Sequence, residues 1–182
     1  MALSTAFSVQ SVHPAALSYF GAVPREPIPG KDQFVAVSQR VSLPDNSVEA
    51  LLRQIIASKV GKGGSIIVVS HGNEHGLTFT LGAGRGIRLE AAPIRVLRFL
   101  IKERTIDEFE AAKRLKFGTF RADSNPQGIA QVQALVKLLT PVQELGLARV
   151  DLRACNTGKS RDTLEQLAWF FNCKHCCAPD SY

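Results

Sequence analysis

Two short apolar runs constrain this chain more than anything else in it. Ser65-Ile66-Ile67-Val68-Val69-Ser70 leads into His71-Gly72, and Ala148-Arg149-Val150-Asp151-Leu152-Arg153 leads into Ala154-Cys155-Asn156-Thr157-Gly158. Runs of this length, rich in β-branched residues and bounded by glycine and polar residues, read as buried strands. In open α/β sheets, reactive side chains gather where strands end at their carboxyl edge. Adjacent, parallel placement of the two runs would bring His71 and Cys155 to one crevice. A thiol beside an imidazole is a minimal nucleophile and base.

The segments around them alternate between strand and helix patterns. Gln33–Ser38 reads as a first strand, and Pro44-Asp45-Asn46-Ser47 as a turn and helix cap. Val48–Lys59 carries Val48, Leu51, Leu52, Ile55 and Ile56 at helical spacing and is stopped by Gly61, Gly63 and Gly64. Leu77–Leu81 alternates as a hairpin strand, with Gly82–Gly86 as its loop. Ala91–Lys102, Thr105–Lys116 and Ile129–Leu145 read as helices, the last closed by Gly146. A helix over Arg161–Phe171 and a strand over Lys174–Ala178 follow the second apolar run. The expected fold is therefore α/β with a mostly parallel central sheet flanked by helices. Residues 1–31, rich in Ser, Ala and Pro, are read as an irregular lead-in, and residues 32–182 as the single folded domain.

Composition excludes several classes. At 182 residues and 45% hydrophobic, the chain has enough apolar material for one real core. The net charge is +6, but the basic residues are scattered, without runs or interleaved aromatics, so no nucleic-acid partner is expected. No stretch approaches 18 apolar residues, so no membrane association is expected. The first 20 residues lack Lys, Arg and a continuous apolar core, which argues against a secretory leader. Three of the four cysteines (Cys173, Cys176, Cys177) crowd together rather than forming a spread disulfide framework. A reducing, cytoplasmic location is expected.

The two turns carry a resemblance. Val69-Ser70-His71-Gly72-Asn73-Glu74-His75-Gly76 resembles the His-Gly turn of caspase-like (clan CD) cysteine peptidases, and Leu152-Arg153-Ala154-Cys155-Asn156-Thr157-Gly158 is similar to their Ala-Cys turn. The Ala-Cys-x-Thr-Gly pattern looks like the bacterial CHAT-type branch. The resemblance implies a three-layer caspase-like fold and a thiol protease that hydrolyses peptide bonds. Cys155 would be the nucleophile and His71 the proton carrier. The backbone N–H groups of Gly72 and Cys155 would form the oxyanion hole, with Gly72 leaving room for the substrate carbonyl. A protein or peptide is the implied substrate, with an activating partner or self-association as routes to regulation and no cofactor. Two departures stand out. Arg153 replaces the Gln that opens the caspase pentapeptide, and His71 and Cys155 lie 84 residues apart (155 − 71 = 84), against about 50 in caspases.

From strand alternation, Arg153 shares a face with Cys155. An arginine lining the substrate pocket there would favour an acidic side chain. Cys155 would also sit near the start of the following helix, where the dipole favours a thiolate. Other features have plainer readings. His75 reads as an exposed loop residue, and Glu74 either orients an imidazole or is solvated. Cys173, His175, Cys176 and Cys177 have zinc-ligand chemistry but poor spacing, so no metal site is expected. Gly82–Gly86 and Gly158-Lys159-Ser160 are only partly similar to phosphate-binding loops. The alternatives to a peptidase are a catalytically inactive interaction domain of the same fold and a nucleotide- or phosphate-binding α/β module.

Overall fold

A computed structural model describes residues 3–9, 36–81, 87–103 and 126–180. Five strands form one parallel sheet: β1 (Leu3–Val9), β2 (Ala36–Leu43), β3 (Ser65–Val69), β7 (Arg149–Arg153) and β8 (His175–Cys177), in the order β2-β1-β3-β7-β8. A small antiparallel sheet of β4 (Gly72–Asn73), β5 (Gly76–Leu81) and β6 (Ile87–Glu90) springs from the end of β3. The helices are α1 (Val48–Ala57), α2 (Ala91–Glu103), α3 (Pro126–Glu144) and α4 (Arg161–Phe171). The class expected from the residues, α/β with a mostly parallel sheet flanked by helices, is the one observed, and it is consistent with three layers. Among the described residues no helix is long and apolar enough to cross a membrane.

The amino-terminal segment corrects the sequence reading. Leu3–Val9, inside the stretch read as irregular, is an interior strand paired with β2 on one side and β3 on the other. Its run of Ser, Thr and Ala looks like a loop only because the residues are small. Thr5, Ala6 and Phe7 are buried, and two ladders satisfy the backbone polar groups that a loop would leave to water. The rest of that lead-in, the Gly82–Gly86 loop and the Thr105–Lys116 helix lie outside the described residues. The next strand also shifts: it covers Ala36–Leu43 rather than ending at Ser38.

Elsewhere local chemistry explains the boundaries. Ser47 caps α1 by accepting from the Ala50 N–H at 3.0 Å. This helix ends at Ala57, short of the glycines, where the extended backbone of Ser58 breaks the helical turn. α3 begins three residues before the expected Ile129, with Pro126 in a first position where its missing N–H costs nothing. Gly146, in the left-handed region at φ 53°, follows its end.

The crossovers β2–α1–β3, β3–α3–β7 and β7–α4–β8 all step the same way across the sheet. Right-handed connections lay their helices on one face. Accordingly α1 packs on α3, and α3 on α4. Phe7, Val68 and Leu152, in register across three strands, join Leu51, Leu52, Leu139, Val142, Leu167 and Phe170 in one buried core. The chain steps from β1 out to β2, then returns to the far side of β1 for β3. The order thus reverses between β1 and β3, the kind of switch point at which open α/β sheets commonly bind ligands.

Candidate active site

β3 and β7 are immediate, parallel neighbours, and Ser65 through Val69 pair one for one with Arg149 through Arg153. That register has the 84-residue offset that separates His71 from Cys155. The ladder continues one step beyond the strands, with the Ser70 N–H donating to the Arg153 carbonyl at 3.3 Å. His71 and Cys155 therefore emerge side by side at the carboxyl edge of the sheet, and both are exposed. Among the described residues no hydrogen bond links the imidazole to the thiol.

The two turns are packed directly on each other. A Cβ built on Gly72 would lie 2.8 Å from the Ala154 Cβ, 2.8 Å from Thr157 Oγ1 and 2.9 Å from the Gly76 carbonyl oxygen. Glycine at position 72 is thus required by the close approach of the two turns. The His71 carbonyl is held by the Thr78 N–H and the Thr78 hydroxyl, both at 3.0 Å, and by the Ser70 hydroxyl at 2.7 Å. The Thr78 bond makes Gly72 and Leu77 a non-hydrogen-bonded pair of their ladder, so the Gly72 N–H lies outside it. Among the described residues the Cys155 amide and thiol have no hydrogen-bond partner.

The Cys155 turn is braced from the other side. Asn156 adopts the left-handed conformation at φ 56°, and Thr157, fully buried, donates to the Cys155 carbonyl at 3.4 Å. A 3₁₀ turn (Thr157–Lys159) and the cap Ser160 separate Cys155 from α4. Cys155 therefore lies two residues before the 3₁₀ turn and six before α4 (157 − 155 = 2, 161 − 155 = 6), with the left-handed Asn156 between them. Gly158 donates its N–H to the Pro179 carbonyl at 2.7 Å, and the Ser160 hydroxyl accepts from the Thr163 N–H at 3.2 Å. Both groups of the Gly158-Lys159-Ser160 segment are thus engaged within the chain. Thr163 also donates its hydroxyl to the Glu74 carbonyl at 2.7 Å, tying α4 to the turn after β4. Arg95 of α2 pairs with Asp162 of α4 near the same edge.

Along β7, Arg149, Asp151 and Arg153 share one face. Asp151 is buried; its Oδ1 accepts from Arg149 Nε at 2.9 Å and lies 2.8 Å from Arg149 Nη2, while Arg153 stands 3.9 Å away. Burial pulls the Arg149 guanidinium down, but the hydrogen bond and charge of Asp151 outweigh it and raise its pKa. Asp151 was not singled out from the sequence, although an acid between two arginines at alternate positions of a strand is a legible signal. Glu74 and His75, both exposed, approach each other at 3.7 Å. Cys173, Cys176 and Cys177 are half-buried and in no disulfide. Among the described residues no three His, Cys, Asp or Glu side chains are grouped to hold a metal ion. Comparison with protein-family models, curated proteins and solved structures found no match to this chain.

Proposed function

We propose that this protein is a cysteine endopeptidase of the caspase-like type, with Cys155 as nucleophile and His71 as proton carrier. The observation that carries this reading is the β3–β7 register. It sets His71 and Cys155 side by side on an exposed edge, between turns packed so tightly that position 72 must be glycine. In the proposed reaction the Cys155 thiolate attacks the scissile carbonyl. The Gly72 and Cys155 N–H groups stabilise the oxyanion, and His71 gives a proton to the leaving amine. Water then hydrolyses the thioester and returns free enzyme. The dyad closes on substrate, on a partner protein or on self-association, as apo catalytic hydrogen bonds are commonly loose.

Arg153 supplies the pocket for an acidic residue before the cleaved bond. One feature supports this: Asp151 makes its close contacts with Arg149 and stands 3.9 Å from Arg153. None of the four cysteines is in a disulfide, which suits a reducing, cytoplasmic setting.

The test is labelling by electrophilic peptide probes carrying Asp or Lys at the residue that meets Arg153. Labelling that maps to Cys155, requires His71 and prefers Asp is the expected result. A preference for Lys refutes the acidic pocket. Absence of labelling on folded protein, with either probe, turns the reading to a non-catalytic interaction domain of the same fold.

A further inference from the structure

The junction of α4 and β8 is a tightly pinned turn. Phe171 ends the helix, and Asn172 takes the left-handed conformation at φ 46°, turning the chain sharply. The turn is pinned at successive points: the Cys173 N–H bonds the Ala168 carbonyl at 3.0 Å, Lys174 bonds Leu147 at 3.0 Å and His175 bonds Ala148 at 3.2 Å. It places Cys173 and Cys176, the ends of a Cys-x-x-Cys sequence, on the two sides of this bend, with Cys176 opposite Val150 in the β7–β8 ladder and both packed against the same core. Both are free, half-buried and packed against the core, as is Ala178. Two residues beyond Cys176 the chain meets the Cys155 turn. The carbonyls of Ala178 and Pro179 lie 2.5 and 2.6 Å from where a Gly158 Cβ would be, and Pro179 accepts the Gly158 N–H.

We propose that Cys173 and Cys176 form a reversible disulfide, a redox-modification site that acts on the Cys155 turn through Ala178 and Pro179. The inference stands apart from the catalytic reading, since it uses only the position of that turn. The chemistry is that of a paired dithiol. The hydrogen bond from Cys176 holds the Cys173 thiol below its ordinary pKa, whereas Cys176, bonded to Cys173 and buried, is held above it. Cys173 is thus the first thiolate. It attacks a hydroperoxide, taking one oxygen and releasing water (from hydrogen peroxide). The Cys176 sulfur then displaces hydroxide from the resulting sulfenic acid, and that hydroxide leaves with the Cys176 proton as water. The two thiols lose two electrons and two protons in all, and the peroxide is reduced to water. A small-molecule dithiol reverses the change.

The test treats the full reduced chain with hydrogen peroxide, traps remaining thiols by alkylation and maps peptides by mass spectrometry. Hydrogen exchange at the Gly158 amide is read before oxidation, after it and after reduction. The expected result is a Cys173–Cys176 bond that the dithiol reverses, with Gly158 exchange changing and recovering in step. A chain carrying Cys155→Ser and Cys177→Ser forms the same bond, so the result does not depend on variants of the pair itself. Alkylation of both Cys173 and Cys176 after peroxide overturns the proposal. So does pairing with Cys177 or Cys155, and so does a Cys173–Cys176 bond that leaves Gly158 exchange unchanged.

Discussion

Replacing Gly72 with alanine puts a methyl carbon 2.8 Å from the Ala154 Cβ, 2.8 Å from Thr157 Oγ1 and 2.9 Å from the Gly76 carbonyl oxygen. One of these atoms belongs to the backbone and one is a Cβ, so rotamer changes relieve at most the Thr157 contact. The turns must separate by several tenths of an ångström. Overpacking of this kind costs about 1–3 kcal/mol. Gly72 does not use a positive φ, so alanine also gains about 0.4–1 kcal/mol by restricting the unfolded chain. The net loss is about 1–2 kcal/mol, which in a chain of this size lowers Tm by about 2–8 °C. Thermal and urea denaturation measure it. Ala154→Gly in the Gly72→Ala background removes one of the three contacts. The double variant should therefore be more stable than the sum of the single effects. The same displacement should slow probe labelling of Cys155, since misplacement near 1 Å is worth about 100-fold in rate. A Gly72→Ala protein that melts at or above the wild-type temperature, or strict additivity with Ala154→Gly, would refute the turn-on-turn packing.

The remaining predictions rest on separate observations. His71→Ala should lower the Cys155 labelling rate about 100- to 10,000-fold, the usual worth of a general acid or base. His71 is exposed, so Tm should stay close to wild type; equal losses in both would mean that the histidine is structural. Arg149→Met leaves the buried Asp151, among the described residues, with the 3.9 Å approach of Arg153, and should destabilise by about 3 kcal/mol in urea titrations. A loss below about 1 kcal/mol would show that Asp151 does not depend on that pair. In timed alkylation across rising pH, Cys173, held low, should react at lower pH than Cys176, held high. Cys173→Ser should bring the Cys176 reaction to lower pH, and an unchanged profile would contradict the thiol–thiol hydrogen bond. Ser47→Ala should cost about 1 kcal/mol, because the α1 cap loses its acceptor for Ala50; an unchanged denaturation midpoint would contradict the cap.

Much of this architecture is written in local pattern. Ser65–Val69 and Arg149–Arg153 are apolar runs too short for helices, and Val48, Leu51, Leu52 and Ile55 recur at a helical period, so β3, β7 and α1 follow from the chain read alone. β1 does not. Leu3–Val9 alternates small residues, and its partners, Ala36–Leu43 and Ser65–Val69, are distant in the chain, so its strand character comes from pairing rather than composition. The Cys173–Cys176 pair falls between these cases: the spacing is visible, but the turn at the left-handed Asn172 and the opposite pKa directions of the two thiols belong to the fold.

The candidate site divides in the same way. By itself the sequence determined that His71 and Cys155 each end a buried strand, because β-branched runs closed by glycine and polar residues specify strand and turn locally. Tertiary structure alone decided that those strands are neighbours in an 84-residue register, that Gly72 is glycine because another turn presses on it, and that Arg149 rather than Arg153 neutralises Asp151 at close range. Strand order and register arise from hydrogen bonds and packing between segments far apart in the chain. No local pattern contains the distances on which those forces act.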